Sequence, residues 1–272
     1  MRRIYSAEVE AERARRLSGG LPVEAENCPE IYPEEDSEII PRVKVKQDLS
    51  ITLCASSYNE TNHLPRWVNQ HKEFVDEIVL VDTGSFDDTV RVAKDLGIRV
   101  VKYKWNHHFA DAKNAAIEAC NTHWIMMMSP DWWIDKKDMA FIKENIKQFR
   151  DEDKIYYDSP GYNHLTDWRG FYPGDVMSEA RHIFLFNRKI EWKGRVHEHC
   201  EIAARELYGI HLDIFRHHDS TADPLTRNEL KNKYYKLLLK YNGKEMPESA
   251  IKKADELRFR RYWNEYEVEE TR

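Results

Sequence analysis

Acidic and amide side chains stand directly after three of the predicted strands, where they are placed to act together. Asn59 and Glu60 follow the first strand, Asp82 follows the second, and Asp131 follows the fourth. We expect these groups to meet, because ligands of open α/β sheets bind beyond the carboxyl ends of the strands. Carboxylates at that edge accept hydrogen bonds from a ribose or a base, and they supply the oxygen ligands that a hard divalent cation needs. The alternative for any single acid is a helix cap or a solvated turn.

Two further stretches carry residues that suit phosphate chemistry or proton transfer. Lys113 lies on a predicted helix, where it either neutralises a phosphate or stands on the surface. Glu198 is a candidate general base. On a strand its neighbours His197 and His199 would share the opposite face, and the spacing is not the helical pattern of zinc proteases, so we do not expect a zinc site. His217 either completes a metal site or packs as an ordinary histidine.

Short apolar runs predict the strands that position these groups. The run Ile78-Val79-Leu80-Val81 does not alternate, which is typical of a strand buried on both faces of a parallel sheet. It ends in the small-residue loop Asp82-Thr83-Gly84-Ser85, and a helix at 89–96 follows, with Gly97 as its stop. The other predicted elements of this half are strands at 49–56, 97–103 and 123–128, a helix at 62–74 and a helix ending near residue 119. This β-α-β-α order predicts an α/β fold with a mostly parallel, doubly wound sheet flanked by helices.

The second half of the chain has a different pattern. After a helix at 136–149, the β-like segments are 155–157, 181–186 and 212–215, with a short helix or an irregular crossover at 201–208. A helix at 226–241 carries an apolar stripe, and a second helix is predicted from Ser249.

The beginning of the chain is predicted to be an extension. Ser6 caps a helix to about Leu17, and residues 21–42 are rich in Pro and Glu, a composition that buries little apolar surface. The predicted division of the chain is therefore an extension at 1–48, a main domain at 49–222 and a helical segment at 223–272.

Composition excludes some classes of function. The formal net charge is −6 and the pI is near 6.1, which argues against nucleic-acid binding by bulk charge. The four cysteines are far apart and form no CxxC pair, which predicts a reducing, cytoplasmic compartment. The N-terminus has no apolar signal core, and no apolar run approaches the roughly 20 residues needed to span a bilayer.

Taken together, these motifs resemble those of family 2 glycosyltransferases, which are inverting nucleotide-sugar enzymes with a GT-A fold. The resemblance covers about Leu49 to His218, and a Gly-x-Val-His-Glu motif is similar to that of one bacterial subgroup. The matching stretches are Tyr58 to Glu60, Val81 to Thr89, Trp105 to Asn114, Trp124 to Met128, Arg181 to Asn187 and Gly194 to Glu198. Lys113 stands where the family usually has arginine.

The resemblance implies roles for individual residues. Asn59, Glu60 and Asp82 would hold the base and ribose of the donor, and Asp131 would ligate Mn²⁺ or Mg²⁺, with His217 as a possible further ligand. Glu198 would be the catalytic base that deprotonates the acceptor hydroxyl, with His197 orienting it or contacting the diphosphate. The remaining residues expected to contact the donor are Ser85, Lys113, Asn114 and Ser129.

One departure from the family pattern bears on activity. Ser129 replaces the first Asp of the Asp-x-Asp motif, and Trp132 replaces the acid that often follows the second. Ser129 can hydrogen-bond a hydroxyl but supplies no charge. The alternative function is therefore a catalytically degenerate relative that binds nucleotide or glycan without turnover. Trp132 and Trp133 are either an aromatic platform for a ligand or part of the core.

The function predicted from the sequence is metal-dependent, inverting transfer of a sugar from a nucleotide-sugar donor, with UDP as the expected nucleotide, to an acceptor hydroxyl. A nucleotidyltransferase would need a Gly-rich phosphate loop after the first strand, and residues 55–59 do not form one. The acceptor stays open among glycan, lipid-linked, protein and modified nucleic-acid molecules. The sequence also leaves open the sugar, the oligomeric state and the role of residues 1–48.

Overall fold

Twelve strands and six α-helices are found in the part of the chain that the computed structural model describes. The structure describes residues 3–4, 48–149, 155–164, 176–187, 190–200, 208–212, 214, 216–219 and 225–263. The strands are β1 (Arg3–Ile4), β2 (Ile51–Ser57), β3 (Glu77–Asp82), β4 (Arg99–Lys102), β5 (Trp124–Met127), β6 (Trp132–Ile134), β7 (Ile155–His164), β8 (Val176–Phe186), β9 (Trp192–Lys193), β10 (His199–Cys200), β11 (Tyr208–Leu212) and β12 (Arg216–Asp219). The helices are α1 (Leu64–His71), α2 (Thr89–Asp95), α3 (Phe109–Glu118), α4 (Lys136–Asn145), α5 (Leu225–Lys240) and α6 (Glu248–Trp263).

Ten of the strands form one mostly parallel sheet. Its main path has the order β1-β11-β7-β8-β5-β2-β3-β4, and β12 pairs with both β6 and β7. The pairs that link β5, β2, β3 and β4 are all parallel, whereas β8 runs antiparallel to both β5 and β7. The predicted fold class, an α/β fold with a mostly parallel sheet flanked by helices, is confirmed.

The parallel half follows the predicted pattern closely. Its central strands are buried because they carry continuous apolar runs, and alternate residues of β2 point into two cores on opposite faces. Leu53 and Ala55 belong to one core and Cys54 to the other. On α1 the predicted stripe of Leu64, Trp67, Val68 and His71 is buried.

The second half differs from the sequence-based expectation in its details. The strands β7 and β8 extend well beyond the segments 155–157 and 181–186. The predicted strand at 212–215 is wrong in its bounds, because β11 ends at Leu212 and a new strand, β12, begins at Arg216. The short strand β6 was not predicted, since Trp132–Ile134 looks like the end of a turn.

The two C-terminal helices confirm the predicted pair and form a third core. Tyr234 and Leu238 of α5 pack with Ala250 and Ala254 of α6, and Val196 joins them from the loop after β9. This packing fixes the helices beside the strand ends of the sheet. No helix among the described residues is both long and apolar enough to cross a bilayer.

The beginning of the chain is described only at Arg3–Ile4, which pairs in parallel with His211–Leu212. The helix predicted for residues 6–17 and the Pro- and Glu-rich stretch lie outside the described residues. So does the short helix or crossover predicted at 201–208, except for its last residue, Tyr208, which begins β11. The predicted domain boundaries stay a prediction.

Candidate active site

A cavity of about 450 Å³ opens beyond the carboxyl ends of the central strands. Its walls come from the strand ends of β2, β3 and β5, from α3, from the loop after β9 and from both C-terminal helices. The predicted site residues that line it are Glu60, Lys113, Ser129, Asp131, His197 and Glu198. The chain therefore gathers the candidate base, the candidate metal ligand and the candidate phosphate-binding lysine around one space.

Glu198 and Lys113 form an ion pair in this cavity. The Lys113 Nζ lies 2.6 Å from the Glu198 Oε1, and the glutamate side chain is 17% exposed. Burial acts to raise the pKa of Glu198, but the charge of Lys113 and its hydrogen bond outweigh that effect, so the pKa lies below its ordinary value. Glu198 is therefore a carboxylate at neutral pH. Lys113 also lies over the Trp192 ring, with its Nζ 4.2 Å from the ring centroid.

The loop that carries Glu198 is held by α3. The Asn114 amide donates to the Trp192 carbonyl oxygen at 2.9 Å and accepts from the Trp192 N–H at 2.8 Å. The Phe109 N–H donates to the Arg195 carbonyl oxygen at 2.9 Å. His197 has a φ of +54°, in the left-handed region. Asn114 thus contacts the backbone that positions Glu198, which is a different contact from the donor contact expected from the sequence.

Three of the predicted donor-binding residues hydrogen-bond within the loop after β3. The Asp82 carboxylate accepts from the N–H groups of Gly84 at 3.2 Å and Ser85 at 3.1 Å. The Asn59 side-chain oxygen accepts from the Phe86 N–H, and the Asn59 N–H donates to the Ser85 Oγ. Gly84 has a φ of +100°, a conformation that favours glycine. These contacts fix the loop at the strand edge, and Asn59, Asp82 and Ser85 do not themselves line the cavity.

Glu60 combines a cavity position with a local contact. Its carboxylate lies 2.6 Å from the His63 Nδ1, and its N–H donates to the Thr89 Oγ1 at 2.6 Å. The Glu60 side chain therefore lies just before α1, after the end of β2.

The Ser129–Asp131 turn joins β5 to β6 and places Asp131 in the cavity wall. The Trp132 N–H closes the turn on the Ser129 carbonyl oxygen at 3.0 Å. No group of three or more His, Cys, Asp or Glu side chains is placed to hold a metal within the described residues. Mg²⁺ usually needs only one or two carboxylates when phosphate and water complete its shell, so Asp131 fits such an ion. The backbone of His217 pairs with Trp133, and its side chain lies outside the described atoms.

A buried arginine next to this turn was not expected from the sequence. Arg216 is 6% exposed, and its guanidinium carbon lies 4.2 Å from the centroid of the Trp132 ring. Burial lowers the pKa of Arg216 to about 10, opposed by the charges of Asp131 and Asp158. The guanidinium therefore remains positively charged at neutral pH.

A second unexpected arginine comes from α6. Arg258 donates to the Thr83 carbonyl oxygen at 3.1 Å from both terminal nitrogens, and its Nη2 also lies 2.6 Å from the Thr83 Oγ1. Its guanidinium lies 3.6 Å from the centroid of Tyr58, and Tyr262 packs edge-on against the same ring at 5.1 Å. Sequence reasoning missed Arg258 because a basic residue on a highly charged helix looks solvent-facing.

Helix α5 contributes an aromatic wall. The Tyr234 hydroxyl lies 3.0 Å from both the Trp105 Nε1 and the His107 Nδ1. Burial raises the pKa of Tyr234 well above its ordinary value, so the hydroxyl stays protonated. The His107 Nε2 reaches Asp255 of α6 at 3.2 Å, which links the two helices to the strand edge.

The cavity is more positive than the rest of the protein. Five basic side chains line it, against three acidic ones, whereas the whole chain carries a net charge of −6. The basic residues are Lys113, Arg216, Lys231, Arg258 and Arg261, and the acidic residues are Glu60, Asp131 and Glu198. Such a concentration of charge favours an anionic ligand.

Comparison with known proteins gives a family match that covers more than half of the chain. The family described as Glycosyl transferase family 2 matches residues 52–206. The SPbeta prophage-derived glycosyltransferase SunS of Bacillus subtilis is 30% identical over 153 residues, which are 55% of this chain and 34% of that protein. An uncharacterized glycosyltransferase of Rickettsia felis is 34% identical over 79 residues, 29% of this chain and 28% of that protein. The chain thus spans about a third of the length of these relatives.

Among solved structures, two similar chains are TarS 1–349 of S. aureus and glucosyl-3-phosphoglycerate synthase of Mycobacterium tuberculosis. TarS 1–349 is 11% identical with a TM-score of 0.42, over 74% of this chain and 67% of that chain. The synthase, in a complex with Mn²⁺, UDP and glucosyl-3-phosphoglycerate, is 13% identical with a TM-score of 0.46, over 70% of this chain and 78% of that chain.

Proposed function

This chain belongs to glycosyl transferase family 2, and on that premise we propose that it transfers a sugar from a nucleotide-sugar donor to an acceptor hydroxyl with inversion at the anomeric carbon. The observation that carries the proposal is the cavity that brings Asp131, Lys113 and Glu198 together from three separate parts of the chain. Its excess of basic side chains suits the diphosphate of a nucleotide sugar, with UDP as the expected nucleotide.

Glu198 is the proposed base. Its carboxylate accepts the proton of the acceptor hydroxyl while the hydroxyl oxygen forms a bond to the anomeric carbon. The bond from that carbon to the diphosphate breaks in the same displacement, and its electron pair leaves with the nucleoside diphosphate. The sugar never bonds to the enzyme, so one inversion results. The depressed pKa keeps Glu198 ionised and ready to accept the proton.

Residues of the cavity and of the strand ends beside it bind the donor in this proposal. Asn59, Glu60, Asp82 and Ser85 lie at the β2 and β3 ends, where the base and ribose would bind. Lys113 and the arginines of α6 supply positive charge to the diphosphate. Asp131, with His217 as a further candidate, would hold Mn²⁺ or Mg²⁺, and such an ion offsets the charge that develops on the leaving phosphate. The cytoplasmic compartment expected from cysteine usage stays a prediction.

The alternative of a degenerate relative rests on Ser129. The serine hydroxyl lines the cavity and can donate to a ribose or sugar hydroxyl, so its neutral side chain does not remove the site. The position of Glu198 in the same cavity favours turnover over binding alone.

Release of nucleotide from UDP-, GDP- and dTDP-sugars, with and without Mn²⁺, tests the proposal. We expect release from one donor, and Glu198→Gln should lower it by about 100-fold or more, since general bases contribute on that order. Glu73→Gln is the matched control, because Glu73 is an exposed glutamate paired with Lys136 on the outside of the protein. Full activity in Glu198→Gln would remove the base assignment. Wild-type protein that releases no nucleotide and is not stabilised by UDP, GDP or dTDP would contradict the function.

A further inference from the structure

Arg216 lies inside the sheet, between β6 and β7, and lines the cavity. On β12 it pairs with Ile134 of β6 on one side and with Gly161 of β7 on the other. Its side chain reaches the cavity wall across the face of Trp132. Because strand pairing fixes the backbone on both sides, the guanidinium is held in place before any ligand arrives.

The hydrogen-bonding capacity of this guanidinium is not filled within the described part of the chain. The Nε and Nη2 atoms of Arg216 are buried and have no hydrogen-bond partner among the described residues. Asp131 and Asp158 stabilise the charge at longer range, and the Asp158 oxygens already lie 2.8 Å from the His211 Nδ1. Buried donors without partners are costly. A ligand that enters the cavity can supply the acceptors.

The geometry of the Arg216 guanidinium indicates which kind of ligand it binds. Arginine presents a planar fork of N–H donors, which matches the two oxygens of a carboxylate or of a phosphate. The guanidinium lies over the Trp132 ring, 4.2 Å from its centroid, which positions the fork at the cavity wall. Hydrogen bonds from a charged donor are stronger when the acceptor is also charged. An anionic oxygen pair is therefore the ligand chemistry that fits.

Arg216 and Arg258 mark different ends of the cavity. Arg258 contacts Tyr58 and Thr83, which follow β2 and β3. Arg216 lies on β12, which joins the sheet on the other side of β5. The nucleoside is proposed to bind at the β2 and β3 end, so the Arg216 end faces the sugar or the acceptor.

We propose that Arg216, stacked on Trp132, is a binding site for an anionic group, a phosphate or a carboxylate, on the molecule that occupies this end of the cavity. The inference deepens the proposed function and rests on it for the identity of that molecule. The anion belongs either to an acidic acceptor or to the donor itself, through its diphosphate or an acidic sugar.

Thermal unfolding of the full chain with inorganic phosphate and with UDP, separately and together, tests the site. Phosphate should raise the Tm of the wild type, and Arg216→Met should weaken the apparent phosphate affinity by about tenfold or more, as expected for lost hydrogen bonds to a charged group. Arg91→Met is the matched control, because Arg91 is exposed on α2 and pairs only with Asp88 and Asp95 among the described residues. It should keep the phosphate response.

The combined titration separates the two sources of the anion. A phosphate response that persists at saturating UDP assigns the Arg216 site to the acceptor or the sugar. A response that UDP abolishes, together with weaker UDP binding in Arg216→Met, assigns it to the diphosphate of the donor. Either result supports an anion site at Arg216.

Other outcomes overturn the site. An equal phosphate response in the wild type and in Arg216→Met, with only the Tm lowered, would make Arg216 a structural counter-ion of Asp131. Absence of any phosphate response in the wild type would have the same meaning. If Arg216→Met does not fold, Arg216→Lys replaces it, since lysine keeps the charge but lacks the fork, and it should weaken phosphate several-fold.

Tryptophan fluorescence of protein with Arg216 intact tests the site if neither Arg216 variant folds. Phosphate bound beside Trp132 should change tryptophan fluorescence, and Trp132→Phe should lose that change while keeping the Tm response. No change in wild-type fluorescence would contradict the placement. Failure of the proposed function has a different signature, namely a protein that binds phosphate through Arg216 but is not stabilised by UDP.

Discussion

At the scale of single residues, the ion pair between Lys113 and Glu198 sets how readily the proposed base accepts a proton. The lysine lowers the pKa of the glutamate against the effect of burial, so the proposed base is ionised over a wide pH range. The same interaction lowers the basicity of Glu198, because a carboxylate stabilised by a neighbouring cation accepts a proton less readily. A donor diphosphate that draws Lys113 toward itself would restore basicity when the substrate is bound.

Replacing Lys113 by methionine should move the pH dependence of activity. Without the cation, burial dominates and raises the pKa of Glu198, so the acid limb of the kcat/KM profile for nucleotide release shifts to higher pH. Activity near pH 5 should therefore fall more than activity near pH 8. Lys136→Met, which removes an exposed lysine paired with Glu73, is the control. If the acid limb does not move in Lys113→Met, ionisation of Glu198 does not control the rate at low pH.

Asp82 shows how one side chain can be needed for structure at a candidate site. Its two oxygens accept from successive N–H groups of the loop. The side chain is buried and does not line the cavity. The donor contact predicted for Asp82 stays a prediction, and the loop contact explains why the residue would be needed even without a ligand.

Helix α6 is the element that completes the cavity at the nucleoside end. Its Arg258 reaches the carbonyl oxygen and the hydroxyl of Thr83, and Tyr262 packs against Tyr58. A helix outside the family match thus contacts the strand edge where the base is proposed to bind. The contact makes the position of α6 and the shape of the nucleoside pocket depend on each other.

Arg258→Met should loosen α6 and weaken nucleotide binding together. Hydrogen bonds from a charged group are worth about 1.5–3 kcal/mol, so the free energy of unfolding should fall by roughly that amount, measured by urea denaturation, and UDP affinity should fall in parallel. Arg260→Met is the matched control on the same helix, since its exposed pair with Glu256 contributes about 0.5 kcal/mol or less. Unchanged UDP affinity in a destabilised Arg258→Met protein would limit α6 to a structural role.

At the scale of the whole molecule, charge is distributed unevenly. A chain of net charge −6 concentrates basic side chains in its cavity, so the field at the mouth attracts anions while the surface as a whole repels them. Attraction of that kind is weakened by salt, with a screening length of about 10 Å at 0.1 M.

UDP affinity should consequently fall several-fold as KCl rises from about 0.05 to 0.5 M, a range over which the screening length shortens severalfold. Isothermal titration calorimetry measures the effect directly. Uridine, which lacks phosphates, is the control ligand and should bind with little salt dependence. A UDP affinity that does not vary with salt would mean that the five basic residues do not act on the diphosphate.

Much of the fold was predictable because its elements are local in sequence. The apolar runs of β2, β3 and β5 reveal strands, and the stripe on α1 reveals a helix, since each pattern follows from burial of one face or both. The rule that strand ends share an edge predicted that Asn59, Glu60, Asp82 and Asp131 would meet, and of these Glu60 and Asp131 line the cavity. Lys113 on α3 and Glu198 in the loop after β9 are not at strand ends of that sheet, and their roles in the site were implied by the family resemblance.

The missed features depend on contacts between distant parts of the chain. Arg258 and Thr83 are 175 positions apart, and only packing of α6 brings them together. Arg216 is followed by two histidines, and nothing in that run signals burial against Trp132. Both β11 and β12 pair with β7, but at different parts of that strand, and their second partners are β1 and β6 respectively. A local apolar pattern does not encode this division.

The contact between α6 and Thr83 also sets an order of events during synthesis. A nascent chain that has released residues up to about 220 possesses β2, β3 and β5, but the wall formed by Arg258 and Tyr262 is still missing. The pocket is completed only after α6 leaves the ribosome. The protein would therefore be unable to hold the proposed donor fully until α6 has been translated. Nucleotide added to stalled chains of increasing length should be retained only once residue 262 has emerged.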